Sequence, residues 1–213
     1  MKLLGLVPVL AVACGGNNGG TGPCSPGPAT QLSKNGGDPT WYVNNPLPSP
    51  LGVTVKDANN CAVPGVVVNW SITTGGGGLS GTQSTTNASG IATISDSLGG
   101  ASTQVVSATS AGLPMQAFNV MGLTPPTSGA VSLHNIAFDP SSVVVQTGGT
   151  VTWTWNDNPT PHNVTFTSGP TPPGGNPGTQ MTGTYAPTFT TVGTYGYHCT
   201  IHAGMSGTVT VVH

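Results

Sequence analysis

Arginine and glutamate do not occur in this 213-residue chain, and with three lysines and five aspartates only 4% of its residues are charged. So few cations cannot neutralise a phosphate backbone, which excludes a nucleic-acid role. Sustained helical periodicity in alanine, leucine, glutamate and lysine is missing as well, while 33 glycines and 20 prolines sit among abundant threonine, serine and valine. Short strands and many turns are what such a composition builds, so the expected fold class is all-β. The N-terminal apolar run is too short to span a bilayer. No His-x-His pair is present among the five histidines, which leaves ligands for one metal ion at most.

What the chain does contain is concentrated near its C-terminus, in Gly196-Tyr197-His198-Cys199-Thr200-Ile201-His202-Ala203-Gly204-Met205. A thiolate, an imidazole and a thioether fall within seven residues at the end of an expected strand. Copper alternating between Cu(I) and Cu(II) needs soft sulfur for the reduced ion and imidazole for the oxidised one, and a His₂Cys plane with a weak axial Met serves both. The missing ligand is supplied by His162, which lies between two strand-like segments in Asn158-Pro159-Thr160-Pro161-His162-Asn163. His198 adjoins Cys199 on one strand, so alternation turns it to the opposite face and away from the same ion. His134 and His213 have no supporting spacing and read as surface residues.

These residues resemble the cupredoxins, the small blue copper proteins, in which one His in mid-domain joins a Cys, a His and a Met from the loop between the last two strands. The Cys-x-x-His-x-x-Met spacing is most similar to amicyanin. The resemblance implies His162, Cys199 and His202 in the copper plane and Met205 as the axial ligand, with Met181 and Met115 as the methionines to test against it. It also implies that Asn163 and the hydroxyl of Thr200 tie the two ligand loops together, a brace that keeps the site nearly the same in both oxidation states. Ala137-Phe138-Asp139-Pro140 and Val151-Thr152-Trp153-Thr154-Trp155 are similar to the opening strands of that family. The Pro170–Gly178 stretch cannot be a central strand and is expected in a surface loop.

Residues 30–122 alternate short strands with turns. Leu51–Asn60, Val66–Ile72, the Gly75–Gly78 run and Thr103–Thr109 resemble the bacterial Ig-like domains of the invasin and intimin type, a likeness that specifies a sandwich well and a function poorly. The expected organisation is therefore a lipoprotein signal peptide at 1–13, a flexible linker at 14–29, an Ig-like β-sandwich at 30–122, a linker at 123–130 and a cupredoxin Greek-key β-sandwich at 131–213.

Met1 to Cys14, with one charge, a short apolar stretch and small residues before the cysteine, resembles a bacterial lipoprotein signal with a lipid on Cys14. With Cys14 lipidated and Cys199 on copper, Cys24 and Cys61 remain as a pair in a compartment where disulfides persist; whether they approach each other is open at this stage. Sequons at Asn69, Asn87 and Asn163 are chance products of a threonine-rich chain. The expected function is that of an exported, lipid-anchored single-electron carrier of the bacterial cell envelope, not an enzyme, with one copper ion and redox proteins as partners. A copper carrier, or an adhesion-type surface lipoprotein in which the copper domain is accessory, is the alternative.

Overall fold

Where valine or tryptophan alternates with threonine, each step along the pleat turns the side chain to the other face, and one face can be buried. The computed structural model describes residues 24–213. Its regular elements are all strands, in accord with the all-β expectation, and they enclose two separate apolar cores. Cys14 and the expected signal lie outside the described residues.

Ten strands build the first sandwich: β1 (Ala29–Lys34), β2 (Thr40–Tyr42), β3 (Leu51–Asp57), β4 (Val67–Thr74), β5 (Gly77–Leu79), β6 (Gln83–Thr85), β7 (Ile91–Ile94), β8 (Asp96–Leu98), β9 (Thr103–Thr109) and β10 (Gln116–Leu123). A sheet in the order β1-β3-β7 faces one in the order β2-β10-β9-β4-β6, and β5 pairs with β8 alongside. Val53, Val55, Val68, Trp70, Val106 and Phe118 fill the space between them. Cys24 and Cys61 form a disulfide with Cα atoms 5.7 Å apart. Beside it the buried Asp57 carboxylate accepts N–H groups from Gly27, Asn59 and Cys61 at 2.8, 2.9 and 2.8 Å. These bonds, the one from Gly27 foremost, hold its pKa below the usual carboxylate value. The end of the segment expected as a flexible linker over 14–29 is thus fastened to the sandwich from Cys24 onward.

Nine strands build the second: β11 (Ser128–His134), β12 (Ala137–Asp139), β13 (Ser142–Gln146), β14 (Gly149–Trp155), β15 (Thr165–Ser168), β16 (Thr184–Tyr185), β17 (Thr188–Phe189), β18 (Gly193–His198) and β19 (Ser206–Val212). One sheet runs β12-β11-β14-β16 with β17 also on β14, and the other runs β13-β19-β18-β15. The pairs β11/β14 and β13/β19 are parallel. The linker expected over 123–130 is narrower in the structure, because Leu123 still belongs to β10 and Ser128–Ala130 already pair with Thr150–Thr152. Small residues stand there for packing: a Cβ on Gly129 would come within 2.3 Å of the Val143 side chain.

Trp153, fully buried, meets the rings of Tyr197 and Phe166 edge-on at 5.2 and 6.0 Å. Burial pushes the Tyr197 hydroxyl up to about 12. Its cross-strand neighbour is Gly207, where a Cβ would lie 2.6 Å from the ring. Along β18, Tyr195 and Tyr197 point inward and His198 outward, so the next residue, Cys199, enters the core.

The two sandwiches touch through Asn45, 2% exposed. Its amide donates to the carbonyls of Val43 and His213 at 2.7 and 3.4 Å, and its oxygen accepts the His213 N–H at 2.9 Å. Gly193 pairs with Val211 and His198 with Ser206. The contact therefore lies at one end of β18 and β19, and the Cys199–Met205 loop at the other.

Candidate metal centre

Two loops converge at that far end. The first follows β14 and carries His162; the second joins β18 to β19 and carries Cys199, His202 and Met205. The first is pinned on both sides of His162, whose backbone exchanges two hydrogen bonds of 2.9 Å with Gln180, while the Trp155 indole N–H donates to its carbonyl at 2.8 Å. The second closes on itself: the Cys199 N–H reaches the Met205 carbonyl at 2.9 Å, and the Met205 N–H reaches the His202 carbonyl at 3.3 Å.

The result is a cluster of His162, Cys199 and His202 with one donor atom from each inside 4.8 Å of the others. Cys199 Sγ and His202 Nδ1 are 3.5 Å apart, and the two imidazoles are 4.7 Å apart between ring centres. Bonds of about 2.0 Å to nitrogen and 2.3 Å to sulfur at near-trigonal angles put ligand atoms about 3.5–4 Å from one another. The donors are thus close to metal-binding separation. His162 is fully buried and Cys199 nearly so, while His202 is half-buried. Met205, 3% exposed, lies in the core cluster with Cys199, and both line one cleft with His202.

One atom tests whether this set fits a metal. His162 Nδ1 is buried with no hydrogen-bond partner, a cost of about 1–3 kcal/mol for a polar group left unsatisfied. The ring's other nitrogen, Nε2, is occupied by the Asp157 carboxylate at 3.0 Å. An orphan lone pair beside a thiol and a second imidazole is what a borderline-soft ion would satisfy. Asp157, which sequence reading passed over as a metal-site residue, is in turn held below the usual carboxylate range by His162 first and by backbone N–H groups of Ile136 and Asn135.

Asn163 and Thr200 meet across the loops. The Asn163 amide donates to the Thr200 hydroxyl at 2.8 Å and to Thr179 at 3.1 Å, and its oxygen accepts the Thr200 N–H at 3.0 Å. The Asn163 backbone N–H points at Cys199 Sγ from 3.5 Å. Thr179 and Gln180, just past the proline-rich loop, bring the end of that loop to the site. Exposed Ile201 and Ala203 flank the half-buried His202, and half-buried Pro161 precedes His162, whose ring centre is 4.7 Å from that of His202; Met181, 48% exposed, follows Gln180. Met115 is 60% exposed in the first sandwich. His198 lines a groove on the outer sheet face, His134 pairs with Asp139 at 3.2 Å, and His213 lies at the inter-sandwich contact.

Residues 127–212 match the family model described as copper binding proteins, plastocyanin/azurin family, and residues 44–120 match that of the bacterial Ig-like domain (group 1). Similar proteins include the plastocyanin of Scenedesmus fuscus, 41% identical over 90 residues that cover 36% of this chain and 87% of the plastocyanin. Amicyanin-alpha of Methylorubrum extorquens is 36% identical over 103 residues, covering 47% of this chain and 86% of its own. The amicyanin of Paracoccus denitrificans is 39% identical over 83 residues, 38% of this chain and 63% of its own.

Proposed function

The chain belongs, through residues 127–212, to the plastocyanin/azurin family of copper-binding proteins, and on that premise we propose that it is a single-electron carrier with one copper ion held by His162, Cys199, His202 and, axially, Met205. The observation that carries this reading is the unpartnered Nδ1 of His162 facing a buried cysteine and a second imidazole. Copper, when bound, supplies a one-electron couple whose Cu(II) state absorbs intensely through the thiolate. No substrate bond is made or broken.

The protein's contribution is rigidity. Two loops tied by Asn163 and Thr200, closed by Cys199–Met205 backbone bonds and seated on a packed sandwich, keep the donors in place whatever the charge of the ion, which lowers the cost of changing it. His202 is the electron port, since its edge is the exposed part of the donor set. Partner redox proteins dock on the apolar rim of Pro161, Ile201 and Ala203.

Export and a lipid on Cys14 would tether the carrier to the bacterial cell envelope. The first sandwich, joined to the end opposite the metal loop, then acts as a spacer that turns the port outward, and tethering raises the effective concentration of a partner on the same membrane. Titration of the apoprotein with Cu(II) tests the assignment: one equivalent is expected to bind and give intense absorption toward the red end of the spectrum. Cys199→Ser abolishes the colour without unfolding either sandwich. Retention of the band in that variant would sink the ligand set, and a weak band in the wild type would favour copper carriage over electron transfer.

A further inference from the structure

A neutral imidazole carries one proton, and which nitrogen holds it decides whether His162 can bind a metal at all. One ring nitrogen of His162 lies within 4.8 Å of the Cys199 and His202 donors; with Nε2 on Asp157 and Nδ1 buried without a partner, the geometry assigns that place to Nδ1. Nε2 lies 3.0 Å from Asp157 Oδ2. Two unprotonated acceptors at that distance, one of them on a fully buried ring, would repel, so the ring proton belongs on Nε2. We propose that Asp157 is a positioning residue for the metal centre: its carboxylate keeps the His162 proton on Nε2, so that Nδ1 presents a lone pair to the site before any ion arrives. For the identity of the ion this rests on the copper reading above; the tautomer does not depend on it.

The carboxylate is itself aimed. β11 and β12 are joined by a two-residue turn, Asn135-Ile136, flanked by the His134–Ala137 pair. Both turn residues have positive φ, 51° and 58°, the requirement of a tight hairpin of this hand. A β-branched Ile136 in the left-handed region is strained by roughly 1–2 kcal/mol. That conformation directs the Ile136 N–H to Asp157 Oδ2 at 3.4 Å, so the oxygen that accepts from His162 is fixed from behind. Between Val131 and His213 there is no Lys or Arg, and the other acid, Asp139, is engaged with His134. No cation within the second sandwich therefore competes for Asp157.

Asp139 provides the control, because Asp139→Ala removes the same charge from the same sandwich without touching His162. In the ¹⁵N-labelled apoprotein, long-range ¹H–¹⁵N correlation of the His162 ring is expected to show protonation on Nε2 alone. Asp157→Ala should add a substantial Nδ1–H population, lower copper affinity by about 10–100-fold in chelator competition, and raise the reduction potential. Asp139→Ala should leave the tautomer and the affinity unchanged. A wild-type ring protonated on Nδ1 or on both nitrogens overturns the proposal, even if Asp157→Ala fails to fold. So does an Asp157→Ala protein with Nε2–H alone and affinity within about twofold of wild type, since the smallest expected loss is about tenfold. Equal affinity losses in the two variants would trace the effect to charge rather than position and overturn it as well. Wild type that takes up no copper sinks the function proposed above, while the apoprotein spectra still decide the tautomer.

Discussion

Each sandwich buries polar atoms without partners, and the Asp96–Gln104 cluster of the first differs from the His162 cluster of the second in what would satisfy it. In the first, Asp96 and Gln104 are 2% and 1% exposed. The Gln104 amide donates to the Gly76 carbonyl at 2.7 Å and to Asp96 Oδ1 at 3.2 Å, leaving Asp96 Oδ2 and Gln104 Oε1 without partners. Both orphans are oxygens, one of them on a carboxyl group whose pKa burial raises, so a proton turns one acceptor into a donor. No histidine, cysteine or methionine lines the neighbouring cleft. In the second, the Trp153 indole N–H and the Tyr197 hydroxyl lack partners among core rings, but the orphan at the metal cluster is a nitrogen that faces sulfur and another imidazole, and its own ring proton is already committed to Asp157. A buried unsatisfied atom marks a site when unlike, soft donors converge on it; otherwise it marks a fastening.

If the first sandwich is fastened and the second presents donors, the largest asymmetry should come from cutting the fastener. Cys24 and Cys61 close a loop of sequence separation 37, and chain-entropy arguments assign such a bridge about 4 kcal/mol. The double variant Cys24→Ala/Cys61→Ala is expected to lower the unfolding free energy of the first sandwich by about that amount in denaturant titration, with copper absorbance retained at denaturant concentrations that unfold the first sandwich. Loss of colour alongside the first transition would mean that the sandwiches unfold as one unit through the Asn45–His213 contact.

Next in size is the brace. Asn163→Ala deletes four side-chain bonds, to Thr179, Thr200 (two) and Thr165. At about 1 kcal/mol each with partial replacement by water, the second sandwich should lose about 3 kcal/mol. Copper should also dissociate faster. Unchanged dissociation with lowered stability would show the brace to be structural only.

Much of this was legible in the sequence, because strand alternation and loop spacing are local. The convergence of His162, Cys199 and His202, with Met205 in the same cleft, was readable from motif and order, and the Asn163–Thr200 contact from the cupredoxin resemblance. His198 was separable from Cys199 by the period of two. Asp157 was not, although it is one of only two carboxylates between Val131 and His213, for its reach to His162 Nε2 depends on the conformation of an irregular loop. Thr179 meets Asn163 from sixteen residues away across a proline-rich segment. Asn45 meets His213 over 168 residues. Small residues at 128–130 read as a short, stiff linker because composition cannot separate an interdomain connection from a close-packed strand.

A smaller effect, of opposite sign, sharpens the contrast at the Asp96 cluster. A carboxyl whose folded pKa is raised stabilises the fold fully below its unfolded value, about 3.9, and that contribution is lost as pH rises through the folded value. Asp96→Asn cannot ionise and supplies an N–H donor where Oδ2 stood. At neutral pH it should stabilise the first sandwich by about 1 kcal/mol, or about 4–8 °C in melting temperature. The gain should vanish below about pH 4, where wild-type Asp96 is itself protonated. A gain that persists in acid would assign the effect to packing.

The smallest expected change is in the response to salt, and it follows from how charge is divided between the two sandwiches. Within the described residues both lysines, Lys34 and Lys56, lie in the first, with Asp38, Asp57 and Asp96. The second holds only Asp139 and Asp157, each within 3.2 Å of a histidine nitrogen. The cleft at His202 is lined by Ile201 and Ala203 and offers no charged patch that could steer a partner at long range. Raising ionic strength from about 0.01 to 0.5 M shrinks the screening length from about 30 Å to a few ångströms, which removes steering where it exists. Second-order rates for reduction by anionic hexacyanoferrate(II) and cationic hexaammineruthenium(II) should therefore change by less than about threefold across that range. A steep fall for the cation, abolished in Asp157→Ala but not in Asp139→Ala, would show that the carboxylate behind His162 projects its charge to the port. A fall that survives both variants would place the steering charge on the first sandwich instead.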